Sequence, residues 1–289
     1  MKIGMIGLDT SHVIAFTKLL NEHDVPGGEV VVAFPGGSSD MEFSYTRVEG
    51  FTTEVRNQGI KIVQSPEEVA EECDAILLES VDGRVHLEQF SKIASFRKPT
   101  FIDKPFATSS EDAREIFRLA EQFGTPVMSC SSLRYSDGLS KALTKSGAIY
   151  GVDCYGPLAM EPTHGLFWYG IHTVEMLYRV FGAGCAKVTA TKNEDHDLIV
   201  GEWKDGRIGS IRGNRKGNHS FGALIHRETG TQFVNVDADE KPYYASLLEE
   251  IIVFFKSGVS PINNLETLEI TRFLEAATES RETGKTVTL

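Results

Sequence analysis

The chain has 289 residues, with 29 Lys and Arg against 41 Asp and Glu, so its formal net charge is −12. Its 41% hydrophobic and 24% charged residues are typical of globular proteins and exclude collagen-like, low-complexity and mainly disordered chains. No apolar run approaches the roughly 20 residues that cross a bilayer. The acidic balance argues against nucleic acid and anionic membranes as partners.

The cysteines and the amino-terminal residues predict a cytoplasmic protein. None of the four cysteines belongs to a C-x-x-C pair, which argues against both a disulfide framework and a zinc site. The apolar part of the segment Met1–Gly7 is too short for a secretory signal. We therefore expect reduced thiols in the cytoplasm. The cysteines are Cys73, Cys130, Cys154 and Cys185.

The first 130 residues alternate short apolar runs with helical periodicity, the pattern of a parallel sheet with crossover helices. Ser65 opens a capping box before one helix, and Ser109 precedes another amphipathic segment. We expect an α/β fold with a Rossmann-like, doubly wound parallel sheet over residues 1–127. The predicted strands are Lys2–Ile6, Glu29–Phe34, Asp74–Leu78, Thr100–Ile102 and Val127–Met128.

The second half carries short β-like runs separated by Gly, Asp and Asn, which predicts a mainly antiparallel sheet. Two helical segments follow, Tyr244–Phe255 and Leu265–Ser280, and Thr286–Leu289 forms a last strand. We expect residues 128–289 to form an α+β domain with an open sheet. The β-like runs are Val188–Ala190, Leu198–Trp203, Gly209–Arg212, Ala223–His226 and Gln232–Val236.

The first strand-to-helix turn is a candidate ligand site, because doubly wound sheets bind ligands at the carboxyl ends of their strands. A dinucleotide fingerprint needs glycine at positions 7, 9 and 12, so Gly7 fits but Asp9 and His12 do not. The Asp9 carboxylate would repel a pyrophosphate, whereas Thr10 and Ser11 offer hydroxyl and N–H groups at the helix start. The alternative interpretation is a helix N-cap cluster without a ligand.

The loop after the second strand bears on the choice of nucleotide. An acid that recognises the ribose is expected about 20 residues beyond the glycines, and none stands at the tip of this strand. Ser38, Ser39 and Arg47 would suit a 2′-phosphate, which favours NADP over NAD. A loop without a ligand is the alternative.

Two further residues suit proton transfer to or from an alcohol oxygen. Lys104 directly follows the fourth predicted strand, which places its ammonium group at the carboxyl edge of the sheet. His172 lies near the start of an apolar-periodic helix. A lysine of lowered pKa and a histidine that titrates near neutrality are the groups that such a transfer requires.

In this order the motifs resemble those of the Gfo/Idh/MocA family, which includes glucose–fructose oxidoreductase and inositol dehydrogenase. Ser80–Asp82 and His86 stand where the family has Thr-Pro-Asn and a histidine. Asp103–Pro105 is similar to its Glu-Lys-Pro signature, and Trp168–His172 matches its Asp-x-x-x-His helix. With Thr278–Val287, which resembles the family's ending, the likeness covers nearly the whole chain.

The resemblance implies an NAD or NADP domain and reversible oxidation of a sugar or polyol hydroxyl. Lys104 would polarise the substrate oxygen, and His172 would be the general acid and base. The second domain would bind substrate and form a homo-oligomer, a dimer or tetramer, through its open sheet. No metal is expected. Substrate contacts are expected at Arg134, His164, Trp168 and Tyr169. The implied cofactor-binding residues are Gly7, Leu8, Asp9, Thr10, Ser11, His12, Ser38, Ser80, Asp82, His86, Asp103 and Lys104.

Departures from the family pattern leave two other functions open. Trp168 stands where the family has an acid one turn before its histidine, and Asp9 and His12 replace fingerprint glycines. The first alternative is a catalytically silent protein that binds a nucleotide or a sugar. The second is metal-dependent sugar chemistry without net redox, whose donors would be Glu161, His164, His172 and Glu175.

Overall fold

The computed structural model describes all residues from 1 to 289, and the chain divides into two compact units. The first unit comprises residues 1–130 and 247–264. The second comprises residues 131–246 and 265–289. The sequence-based division into residues 1–127 and 128–289 is continuous along the chain and does not include the return of residues 247–264 to the first unit.

The first unit is built on a parallel sheet of six strands. These lie in the order β3-β2-β1-β4-β5-β6, and each neighbouring pair is parallel. The order reverses between β1 and β4, which confirms the predicted doubly wound sheet. Only β3 is absent from the prediction, because a strand of two residues is too short to show an apolar pattern. The strands are β1 (Lys2–Ile6), β2 (Glu29–Phe34), β3 (Lys61–Ile62), β4 (Ala75–Leu78), β5 (Thr100–Ile102) and β6 (Val127–Met128).

Crossover helices connect these strands. They are α1 (His12–Asn21), α2 (Glu42–Tyr45), α3 (Val48–Asn57), α4 (Pro66–Glu72), α5 (His86–Ile93) and α6 (Ser110–Phe123). Helices α4 and α6 begin at their predicted caps, because the Ser65 and Ser109 hydroxyls accept backbone N–H groups of the first turn. Helix α6 ends at Gly124, whose left-handed conformation closes the last turn.

The second unit is built on a seven-stranded sheet in the order β12-β11-β7-β10-β9-β8-β13. Only β7 and β10 pair in parallel, so the sheet is mixed and mainly antiparallel, as expected. The elements are α7 (Asp137–Leu143), β7 (Ile149–Pro157), α8 (Leu166–Phe181), β8 (Cys185–Lys192), β9 (His196–Trp203), β10 (Ile208–Asn214), β11 (Gly222–Arg227), β12 (Gly230–Asn235), α9 (Tyr243–Ser257), α10 (Asn264–Thr283) and β13 (Val287–Thr288).

One face of this sheet packs against α8 and α10. The Tyr178 ring of α8 contacts Trp203 of β9 and Phe273 of α10, with centroids 5.4 and 5.8 Å apart respectively. Strand β7 lies near the middle of the sheet, yet the sequence pattern does not predict it, since its two glycines interrupt the apolar alternation. The other face exposes several apolar side chains, among them Leu198, Ile208, Leu224 and Phe233.

Helix α9 explains why residues 247–264 return to the first unit. Its apolar side chains after residue 246 are largely buried, and Ile252 lies against Gly27 in the connection from α1 to β2. The sequence alone does not show which unit this helix packs against, because its apolar pattern is compatible with either unit. None of the helices has the length and apolar character needed to span a bilayer. All four cysteines are buried free thiols.

The turn after β1 yields the first testable prediction. Gly7 has φ +88°, and a Cβ there would overlap the Ser80 backbone, so a side chain meets both strain and a clash. We expect Gly7→Ala to lower the free energy of unfolding by about 3 kcal/mol, from roughly 1 kcal/mol of backbone strain and about 2 of overpacking. Denaturant unfolding measures the change.

Gly59→Ala is the matched control for this variant. Gly59 has a similar φ of +83°, but a Cβ there has no neighbour within 4 Å. Gly59→Ala should therefore lower the free energy of unfolding only by the backbone strain, about 1 kcal/mol. An equal decrease in the free energy of unfolding in the two variants would show that Gly7 is not required for the close approach to Ser80.

Candidate functional site

The turn between β1 and α1 lies directly against the residues that follow β4. The Gly7 and Leu8 N–H groups donate to the carbonyls of Phe34 and Pro35 at 2.9 and 2.7 Å, which ties the turn to the end of β2. A Cβ on Gly7 would lie 2.5 Å from Ser80 Cα, so this position accepts only glycine. The carboxyl ends of β1, β2 and β4 therefore meet at one edge, with their backbones in close contact.

Asp9, at the second fingerprint position, is fully buried. Its Oδ1 accepts the Val81 N–H at 2.9 Å, and its Oδ2 accepts the Ser44 hydroxyl at 2.6 Å. The Ser44 oxygen also accepts the N–H of Ser38 at 2.7 Å. Burial raises the pKa of Asp9, although these hydrogen bonds oppose the shift. The Asp9 carboxyl thus joins three loops at the edge of the sheet.

His12, at the third fingerprint position, meets two acids from neighbouring strands. Its Nδ1 lies 2.8 Å from Asp103 Oδ2 and 3.8 Å from Glu79 Oε2. Burial raises the pKa of Glu79 well above its usual value, and the Asp103 charge adds to this effect. Burial also acts to raise the pKa of Asp103, but the charges of His12 and Lys104 outweigh it and lower that pKa to about 2.

Lys104 is buried beside this cluster at the end of β5. Its Nζ lies 4.0 Å from Asp103 Oδ2, so one carboxylate is shared by an ammonium group and an imidazole. The predicted position of Lys104 at the carboxyl edge of the sheet follows directly from the end of β5 at Ile102. The arrangement places a positive charge at the edge where such sheets bind ligands.

The residues after β4 serve mainly to hold the loops together. The His86 ring nitrogens lie 3.1 Å from the Phe106 carbonyl and 2.7 Å from the Ser80 carbonyl, and burial lowers the pKa of His86. Asp82 pairs with Arg84, which also contacts Asp40 of the loop after β2. These residues therefore connect the ends of β2, β4 and β5.

In the second unit, His172 of α8 is held by a serine from a distant part of the chain. Its Nδ1 lies 2.7 Å from the hydroxyl oxygen of Ser131, a fully buried residue. The Tyr169 and Phe221 rings flank the imidazole, with centroids 5.7 and 5.6 Å away. A hydroxyl both donates and accepts, so Ser131 can partner Nδ1 in either protonation state of the ring.

Arg134 is buried in a pair of ion contacts. It lies 3.0 Å from Glu175 of α8 and also contacts Glu266 of α10. Burial raises the pKa of Glu175 to about 7, against the opposing effect of Arg134. The guanidinium is committed to these two carboxylates, which favours a structural role over the substrate contact expected from the sequence.

Trp168 lies among the other aromatic residues at the start of α8. Its ring is 6.2 Å from that of His164 and 6.2 Å from that of Tyr169. His164 Nδ1 lies 3.0 Å from Glu161. Because Glu175 pairs with Arg134 and His172 with Ser131, the four donors proposed for a metal are divided among separate contacts.

The sequence-predicted residues thus fall into two groups, one in each unit. The first includes the turn Gly7–His12 with Asp103 and Lys104, and the second includes Trp168, Tyr169 and His172. Sequence reasoning missed Glu79 and Ser131. Glu79 directly follows the apolar run of β4, and a charge at the end of a buried strand is a usable signal. Nothing in the sequence connects Ser131 with His172, 41 positions away.

The strand order, the Gly7 turn and the second sheet define a protein with a Rossmann domain followed by an α+β domain. Residues 1–130 match the model of the Gfo/Idh/MocA oxidoreductase family, which is described as having an NAD-binding Rossmann fold. The match covers the N-terminal domain and confirms the resemblance that the ordered sequence motifs indicate.

Solved structures share the fold over the whole chain. A "probable dehydrogenase" from Thermotoga maritima has a TM-score of 0.81 at 17% identity, covering 100% of this chain and 99% of the other. A myo-inositol dehydrogenase from Corynebacterium glutamicum gives 0.79 at 18%, with coverages of 100% and 98%. An Agrobacterium radiobacter oxidoreductase in complex with NAD+, L-tartaric acid and magnesium gives 0.77 at 17%, with the same coverages. No curated protein matches the chain in sequence.

The residues at the edge of the first sheet fit a dinucleotide. Gly7 keeps the close approach of the turn, and Ser11 places no side-chain cap over the N-terminus of α1. Such an N-terminus presents backbone N–H groups that suit a pyrophosphate. Both oxygens of Asp9 are engaged by protein donors, so the carboxyl group is not directed at the ligand side without a partner. The expected repulsion is thereby reduced.

Proposed function

We propose that this protein is an NAD(P)-dependent oxidoreductase that moves a hydride between the nicotinamide and a hydroxyl carbon of a sugar or polyol. The observation that carries the proposal is the buried Lys104 ammonium beside Asp103 at the carboxyl edge of an NAD-binding Rossmann sheet. The substrate class is supported by the inositol dehydrogenases among the solved structures of the same fold.

Two residues are proposed for this chemistry, as the resemblance to the family implies. Lys104 of the first unit would donate a hydrogen bond to the substrate oxygen and stabilise negative charge on it. His172 of the second unit would take the hydroxyl proton in the oxidative direction and return it in the reverse direction. The turn Gly7–His12 would hold the nicotinamide cofactor, which would supply the hydride acceptor or donor when bound. Ser38, Ser80, Asp82 and His86 shape the loops that would surround it.

The aromatic residues of α8 support the proposed substrate class. The half-buried Tyr169 and the more deeply buried Trp168 lie within one turn of His172, where rings provide rigid apolar area for a sugar face. His164 stands beside Trp168 and is the remaining candidate for a substrate contact. The exposed apolar side chains on the outer face of the second sheet support assembly into a homo-oligomer.

A catalytically silent binding protein is the second candidate function. It is favoured by Asp9 and His12, which place a carboxyl and an imidazole at fingerprint positions, and by Trp168 in place of an acid. This candidate keeps nucleotide binding but predicts no turnover with any sugar or polyol.

Cofactor binding is tested first by thermal melting with NAD, NADH, NADP and NADPH, each in large excess. A ligand at about 100 times its dissociation constant stabilises the folded state by roughly 2.7 kcal/mol, which raises the melting temperature by a few degrees. We expect such a shift with one nucleotide pair and none with ATP at the same concentration. The absence of a shift with all four dinucleotides would contradict the proposal.

Turnover is tested by the variant Lys104→Met, which keeps the length of the side chain and removes its charge. We expect the rate of nucleotide reduction with a responsive polyol to fall by about 100-fold or more, as for loss of a group that acts on the transition state. Lys92→Met is the control, since Lys92 is an exposed helix residue paired with Glu88. Full activity of Lys104→Met would rule out the assigned role.

Ser131 offers a test of how His172 is positioned. Removing its hydroxyl in Ser131→Ala leaves Nδ1 without this partner, so we expect kcat to fall by about 10-fold, equivalent to roughly 1.4 kcal/mol. The pH profile of kcat should also shift, while KM changes little. Ser131→Thr keeps a hydroxyl and should restore both values towards wild type. A purely structural Ser131 would leave the pH profile unmoved.

A further inference from the structure

Glu79 is the most unusual charged residue of the first unit. It is fully buried at the end of β4, and neither of its carboxyl oxygens has a hydrogen-bond partner. An unsatisfied buried polar group costs about 1–3 kcal/mol and more when it is charged. Proteins seldom retain such a group without a ligand or a function.

The two side chains closest to it are also metal-ligand types. His12 Nδ1 lies 3.8 Å from Glu79 Oε2 and 2.8 Å from Asp103 Oδ2. One donor atom from each of the three residues lies within 4.8 Å of the other two. Ligands held about 2.0–2.2 Å from a shared zinc ion lie roughly 3–3.6 Å apart. The observed separations bracket that range, so small side-chain movements would close the site.

The charge around Glu79 favours a cation. Asp9 and Asp103 both act electrostatically on Glu79, and the lysine that opposes them is Lys104. Glu79 and Asp103 lie within 4.0 Å of the His12 imidazole, and Asp103 also lies 4.0 Å from the Lys104 ammonium group. Lys104 neutralises part of the Asp103 charge, but it leaves Glu79 without a hydrogen bond.

We propose that His12 Nδ1, Glu79 and Asp103 bind one divalent transition-metal ion beneath the carboxyl edge of the Rossmann sheet. One imidazole and two carboxylates suit zinc or manganese, with a further position open to water. His12 supplies the nitrogen from the third fingerprint position, where a dinucleotide turn has glycine. The ion would supply the partner that both Glu79 oxygens lack.

The site differs from the metal centre considered from the sequence, whose four donors all lie in the second unit. The site shares His12 and Asp103 with the proposed cofactor edge, but the ion is expected to bind in the absence of nucleotide and substrate, so its binding is measured separately from turnover. Metal binding and turnover can therefore fail independently of each other.

The first experiment is calorimetric titration of the chelator-treated full chain with zinc chloride and, separately, with manganese chloride. We expect one ion per chain and a matching rise in melting temperature. Glu79→Gln keeps the side-chain shape and removes the charge, and His12→Ala removes the nitrogen. Each should weaken binding by about 100-fold or more, since loss of even an outer-shell partner costs up to that factor.

The control variant is His23→Asn. His23 forms an exposed histidine–carboxylate pair with Glu29 at 3.6 Å, outside the buried cluster. It should bind the ion as wild type does. The absence of binding to the wild-type chain, or equal affinity in Glu79→Gln and wild type, would overturn the proposal.

X-ray absorption at the zinc edge of the wild-type chain provides a second measurement that needs no variant. We expect imidazole scattering and a nitrogen–oxygen shell near about 2.0–2.1 Å. Sulfur ligands at about 2.3 Å would place the ion at one of the cysteines and overturn the assignment.

Discussion

The close contact between the β1 turn and the end of β4 governs the rest of the first unit. Gly7 lies so near the Ser80 backbone that no side chain fits between them. Strands β1 and β4 are also the point at which the strand order reverses, so their carboxyl ends open towards the ligand side of the sheet. Every side chain that follows either strand is consequently confined to a small volume.

The confinement explains why the altered fingerprint is tolerated. Asp9 fits because Val81 and Ser44 supply hydrogen bonds to its carboxyl group, and these donors come from loops that the close contact already brings together. His12 has a buried partner of its own, because Asp103 Oδ2 lies 2.8 Å from its Nδ1. The substitutions thus exchange a glycine-lined surface for a set of buried polar contacts at the same edge.

Helix α8 has the corresponding role in the second unit. Its inward face packs Tyr178 against the sheet, whereas earlier turns carry His172 and Glu175 towards the segment that begins at Ser131. One short segment therefore supplies both the hydroxyl that holds the histidine and the arginine that pairs with the glutamate. The rigidity of the helix fixes both contacts together, since residues three positions apart share a helix face.

The sequence by itself determined the two-part architecture, because apolar runs and helix caps are local features that indicate where strands and helices lie. Strands β1, β2, β5 and β6 have their predicted bounds, and Lys104 has its predicted place at the end of β5. The ordered motifs indicated the family whose model matches residues 1–130. Strand β3 was too short to show periodicity, and the glycines of β7 concealed a strand that only its neighbours stabilise.

Only the tertiary structure decided which distant groups meet. His12, Glu79 and Asp103 follow three different strands, β1, β4 and β5, and their proximity depends on strand order, which no local pattern encodes. The contact of Ser131 with His172 and the return of α9 to the first unit have the same origin. Local propensity determines where an element begins and ends, whereas long-range packing determines which elements lie next to each other. The candidate sites of this chain are formed by residues from such neighbouring elements.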